Sequence, residues 1–326
     1  MSRVHVFVAV VLVCLLTGSV AVATALRGTT PRTASSGVGH ALEEARDGGR
    51  QVMVFRSLAG ETRDQIGVAP VDGAGAAKLS ALRCERVYFA AGSGICVSRG
   101  GGFAAGYRAR IFGPDLRVRS ELEIAGVPSR ARVSRDGKLG SVTMFVAGHS
   151  YAGGSFSTET TLIDLRTGTR IADLEDFTVS RRGRVVTAED VNFWGVTFAD
   201  GGDRFYATMA TGGKTYLVRG SIRDRTMRTL KENVECPSLS PDGSRIAYKK
   251  RVGSRDVPWR LTVLDLATMR ETPLAEPQGL DDQAEWVDDE HVAYSIDRET
   301  RVVAADGSGA PERLRAGADS PAVVRW

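Results

Sequence analysis

Short apolar runs of four to eight residues, alternating with polar positions and broken by Gly, Pro, Asp and Ser, recur from residue 51 to the last residue. This is a strand-and-turn rhythm, not a helical one. The best-formed unit is Pro237-Ser-Leu-Ser-Pro-Asp-Gly-Ser-Arg-Ile-Ala-Tyr248, followed by Arg260 to Asp265 and Arg270 to Pro273. It reads as strand, tight turn, strand, loop, strand, turn, strand. Pro presets φ for the turn and Gly accepts the positive φ that ends it.

Weaker copies begin at Ala131, Gly195, Ala284 and Val87, with turns near Asp136, Asp200, Asp288 and Gly92. Five four-stranded units result, at a spacing that suits propeller blades. Two leftovers complete a sixth. Pro321 to Trp326 begins a unit just before the sequence stops, and Gln51 to Phe55, Ile66 to Val71 and Ala76 to Leu82 supply its other three strands. The chain is therefore expected to be all-β, a six-bladed β-propeller of four-stranded blades. The last blade is closed by N- and C-terminal strands, leaving no open sheet edge around the ring.

The Pro237–Tyr248 unit resembles the Pro-Asp-Gly repeat of TolB-type six-bladed propellers, with looser similarity over nearly all of the chain after residue 50. The resemblance is to the propeller part only. Residues 26–50 are too short for the N-terminal α/β domain that TolB carries, so it implies a propeller scaffold at the cell envelope without that domain.

Ahead of the repeat, Met1-Ser-Arg3 precedes an apolar run from Val4 to Leu16, and small residues follow up to Ala25. Residues 1–25 read as a secretory signal cleaved after Ala25, or as an uncleaved membrane anchor. Residues 26–50 read as a flexible tether and 51–326 as the propeller. The expected location is extracytoplasmic, secreted or held at the cytoplasmic membrane by the N-terminal segment alone.

Charge and chemistry narrow the function. Forty-three basic against thirty-nine acidic residues give a net charge of +4, with no like-charge block, so nucleic acid is not an expected partner. After the signal, His40, His149 and His291 remain, none at metal-ligand spacing. No Asp-x-Asp-x-Asp-Gly loop and no Gly-x-Ser-x-Gly elbow appears, so no metal, no cofactor and no catalytic residue is assigned. Aligning the repeats on their turns places Ser129, Phe193, Glu235, Asp282 and Asp319 just before the first strands. Glu235, Asp282 and Asp319, on successive blades, would form an acidic channel mouth that attracts a cation or basic peptide; ordinary solvation or pairing with nearby Arg is the plainer reading. Phe193 and Trp194 would stack on a sugar ring if they stood on the rim, and pack the core otherwise. Cys84 and Cys96 flank one hairpin and are the preferred disulfide, with Cys84 to Cys236 the other pairing.

The first reading is an exported monomeric scaffold that binds an envelope protein or peptide without catalysis. The alternatives are a propeller hydrolase or lyase acting on carbohydrate or lactone, and a sensor holding a small molecule or sugar in the channel.

Overall fold

The computed structural model describes residues 34–101, 106–147, 157–253 and 258–326. The proposed signal with its cleavage site after Ala25, residues 26–33 and His149 lie outside them. Among the described residues no helix is long and apolar enough to cross a membrane.

Helix α1 (Ala34–Asp47) leads into β1 (Val52–Ser57), β2 (Gln65–Pro70) and β3 (Lys78–Arg83). Blade I is β4 (Arg86–Ala90), β5 (Ser93–Arg99), β6 (Tyr107–Phe112) and β7 (Val118–Ile124). Blade II is β8 (Val127–Val133), β9 (Leu139–Val146), β10 (Ser157–Asp164) and β11 (Thr169–Asp173). The insertion hairpin β12 (Thr178–Arg181) and β13 (Arg184–Val185) precedes blade III, formed by β14 (Asn192–Phe198), β15 (Arg204–Thr211), β16 (Lys214–Ser221) and β17 (Thr226–Glu232). Blade IV is β18 (Glu235–Leu239), β19 (Arg245–Arg251), β20 (Trp259–Asp265) and β21 (Glu271–Pro273). Blade V is β22 (Glu285–Trp286), β23 (His291–Ile296), β24 (Glu299–Ala304) and β25 (Glu312–Ala316). β26 (Ala318–Val324) pairs antiparallel with β1, so blade VI runs β26-β1-β2-β3 and unites the two ends of the repeat. The six sheets form a ring, and the protein is a six-bladed β-propeller.

Two local devices recur among the blades. In Ser240-Pro-Asp-Gly243 the Gly243 amide donates to the Ser240 carbonyl at 2.9 Å, and Ser134 and Gly137 repeat the bond at the same distance. The side chains of Asp242 and Asp136 accept from Ser240 and Ser134 at 2.5 and 2.6 Å, which holds the turn from inside. Second, three innermost strands bulge near their start. Gly195, Cys236 and Ser320 take φ of 64°, 50° and 52°, each where the pairing register shifts. At position 195 a Cβ would lie 2.7 Å from the Cα of Cys236, so only glycine fits.

The stretch read as a tether is a structural element from Ala34 onwards, and that reading is corrected. Val38, Leu42 and Ala45, spaced for one helical face, are buried in the cluster that joins blade VI to blade I through Ile66, Val87 and Phe112. The Cys84–Cys96 disulfide sits in the same cluster and ties the β3–β4 linker to β5. Helix and disulfide therefore brace the seam next to the closing blade. The hairpin β12–β13, which carries Arg181 to Arg184, widens blade III to six strands, with β12 running parallel to β17.

Candidate functional site: the upper channel mouth

The innermost strands all run one way, so the face where they begin (here the upper face) gathers the residues at their starts. Side chains alternate along a strand, and on β8 both Arg130 and Arg132 point into the channel. Each reaches across the axis from blade II towards blade V.

The lower of these two bridges closes the channel. Arg132 donates to Glu285 Oε2 at 2.7 Å, with both side chains almost fully buried. The guanidinium also contacts the Ser238 hydroxyl of blade IV and lies over the Tyr88 ring of blade I, 4.7 Å from its centre. Tyr88 donates to Glu285 Oε2 at 2.9 Å, and burial pushes its hydroxyl well above the ordinary tyrosine range. Trp286 Nε1 donates to the Ser238 carbonyl at 2.8 Å, and Gln283 Nε2 donates to the carbonyls of Val196 at 3.1 Å and Pro237 at 2.7 Å. What remains beside this plug is a cavity of about 60 Å³ lined by Tyr88, Arg132, Glu285 and Trp286.

The upper bridge is looser. Arg130 stands 3.6 Å from Asp281 and 3.8 Å from Asp282, while Arg56 stands 3.5 Å from Asp319 and 3.2 Å from Asp64. Arg86 donates through Nε to the Ser129 carbonyl at 2.5 Å, and Lys249 contacts Asp281. Burial holds Arg86 below the ordinary guanidinium value; Asp282 opposes that, and Arg130 adds to it. Burial also raises the Asp319 carboxyl, with Arg56 acting against the rise and Asp282 with it. Arg56 Nε, Arg130 Nε and Asp319 Oδ1 are buried yet make no hydrogen bond within the protein.

Glu235, Asp282 and Asp319 thus do sit at starts of the innermost strands, but each faces a cation from another strand. Glu235 accepts from Arg251 at 3.1 Å. The mouth is a ring of opposed charges, and the acidic funnel is corrected accordingly. Pairing with nearby Arg was the plainer reading, but the sequence did not show which arginine answers each carboxylate: Arg251 and Arg56 come from the neighbouring strand of the same blade, and Arg130 from three blades away. The alternating Arg130-x-Arg132 at the start of a first strand was the available signal.

The aromatic pair is not on the rim. Phe193 is 2% and Trp194 8% exposed, with Phe193 packed among Phe177 and Phe205. Register also shows why the repeat alignment slipped there by one residue. Trp194 pairs with Thr208 just before the bulge, as Glu235 pairs with Lys249, so Trp194 and not Phe193 occupies the equivalent place. Cys236 is a free, buried thiol, and the cysteine pairing is Cys84 to Cys96. Among the described residues no group of three or more His, Cys, Asp or Glu is placed to hold a metal ion.

No protein-family model matches the chain, and no curated protein sequence does. Solved structures do. The crystal structure of TolB from Acinetobacter baumannii aligns with a TM-score of 0.61 at 18% identity, covering 87% of this chain and 70% of that one. A chain of the nidogen/laminin complex aligns at 0.56 and 12% identity, covering 84% of this chain and 98% of that one. A structure assigned as TolB from Agrobacterium tumefaciens aligns at 0.52 and 13%, covering 83% and 91%. At these identities the likeness establishes the propeller fold.

Proposed function

We propose that this chain is an exported propeller scaffold that docks a segment of an envelope protein at its upper channel mouth and performs no chemistry there. The carrying observation is a set of buried charged atoms at that mouth that stand near opposite charges yet make no hydrogen bond: Arg56 Nε, Arg130 Nε and Asp319 Oδ1. A buried polar atom without a partner is costly, so a docked segment that supplies a carboxylate and a donor gains from satisfying them. The lower plug argues against a small-molecule site in the channel. Its cavity of about 60 Å³ is far below the ~300–1,000 Å³ of ordinary ligand pockets. One of the similar chains comes from a complex of nidogen with laminin, a fold-level analogy for protein binding. Export is supported by the Cys84–Cys96 disulfide, since such bonds persist in oxidising compartments, and by the apolar N-terminal segment.

The test is capture from cell-envelope extract by the purified chain and by a variant carrying Glu235→Gln, Asp282→Asn and Asp319→Asn. A protein retained by the wild type and lost from the variant is expected. Identical retention by both, or none by either, contradicts the proposal.

A further inference from the structure

The largest concavity among the described pockets lies on the lower flank, away from the channel. It is a cleft of about 770 Å³ between blades V and VI, roofed by α1. At its inner end the two blades meet in a small apolar cluster built from Val287, Ala293 and Val323, with Val71 and Leu314 packed against it. Outside that cluster the seam stays open. The two walls differ in chemistry. Blade VI and the helix contribute apolar side chains, chiefly Val52, Val68, Pro70, Ala41 and Ala45. Blade V contributes Val302 and Leu314 below a rim that carries Asp288 and Glu312.

The charges on this rim are not matched as they are elsewhere. Glu44, Asp72, Asp288 and Glu312 line the cleft against only Arg50 and Lys78, in a chain whose net charge is +4. The described ion pairs give Glu44 and Asp288 only His40 and His291, at 3.1 and 3.0 Å, with Asp288 also held by the Glu290 and His291 amides, and give Asp72 and Glu312 no cationic partner. At the channel mouth every carboxylate named above faces a Lys or Arg.

The geometry points to a second docking site, in this cleft, for a short amphipathic segment of a partner protein. Its apolar side chains would lie against blade VI and α1, and its Lys or Arg side chains would meet Asp72 and Glu312, the rim carboxylates that the described ion pairs leave without a cation. Apolar burial supplies the hold, and the exposed charge pairs supply orientation and salt dependence. The inference goes beyond the mouth and stands or falls separately from it.

The probe is a fluorescein-labelled eleven-residue amphipathic peptide of Leu and Lys, with the same pattern in Leu and Glu as control, read by anisotropy on the full chain. The Leu/Lys peptide is expected to bind at least tenfold more tightly than the control. Binding should weaken at least tenfold in the surface variant Asp72→Lys with Glu312→Lys, and again with added salt. Asp282→Asn with Asp319→Asn should leave it unchanged. Equal binding of both peptides, indifference to the Asp72/Glu312 variant, or loss in the mouth variant overturns the site. So does sedimentation showing that a second copy of the chain fills the cleft.

Discussion

Two arginines on one strand make the same crossing in two different ways. Arg132 and Arg130 are two residues apart on β8, and both reach from blade II to acidic residues of blade V. The lower pair meets at 2.7 Å, sealed by Tyr88, Ser238 and Trp286. The upper pair stands at 3.6 to 3.8 Å and leaves Arg130 Nε without a hydrogen bond. A buried ion pair offsets its desolvation only with close geometry and satisfied hydrogen bonds. The lower bridge meets that condition and belongs to the architecture; the upper one does not, and is the place where a partner's groups improve matters. Residue type alone does not separate the two roles. Depth in the channel does.

The largest expected effect breaks the lower bridge. Glu285→Leu leaves Arg132 buried and unpaired, and should lower unfolding free energy by about 3–5 kcal/mol in urea titration. Pairing it with Arg132→Met should cost much less than the sum of the two single changes, because both charges are then gone. Next comes the braced seam of blades VI and I. Removing the disulfide, whose cysteines are 12 residues apart, by Cys84→Ser with Cys96→Ser should cost about 3 kcal/mol. A much smaller loss would mean that α1 and blade closure hold that seam unaided.

At the upper bridge the expectation reverses. Asp282→Asn with Asp319→Asn should change unfolding free energy by no more than about 1 kcal/mol, because Arg130 keeps Asp281 and Arg56 keeps Asp64, while removing partner capture. A loss as large as that of Glu285→Leu would erase the distinction between the layers. The smallest effect is in acid. Burial alone would raise the Asp242 carboxyl, but bonds from Ser240 and Ser244 hold it below its ordinary value. Its contribution is therefore present above the unfolded value near 4 and is lost as pH falls through the lower folded value. Asp319, raised by burial, has the opposite sign: its contribution declines as pH rises above the unfolded value. Unfolding of Asp242→Asn and Asp319→Asn between about pH 3 and 6 should show slopes that depart from wild type in opposite directions.

What could be read from the chain was whatever depends on neighbours in sequence. The Ser-x-Asp-Gly turns, the alternating strands and the split blade at Pro321 to Trp326 with Gln51 to Leu82 are local patterns, and the blades follow them. So does the Cys84–Cys96 bond across one hairpin. The helix at Ala34 was hidden because Gly37 and Gly39 interrupt it, and because its apolar face rests on spacing alone, Val38 to Leu42 to Ala45. The mouth was half legible. Carboxylates at strand starts could be placed from the repeat, but not the arginines that answer them: Arg251 and Arg56 lie on the neighbouring strand of the same blade, and Arg130 reaches Asp281 and Asp282 only because the ring closes.

The most direct test of the contrast is site-specific photo-crosslinking in cell envelopes, with one photoreactive residue at position 281 on the upper face and another at 136 on the lower. Both side chains are partly exposed, so either can report a contact. Specific crosslinking to one envelope protein from position 281 and not from 136 is the predicted result. Crosslinks from 136 alone, or equally from both, would contradict the assignment of the upper mouth as the docking surface.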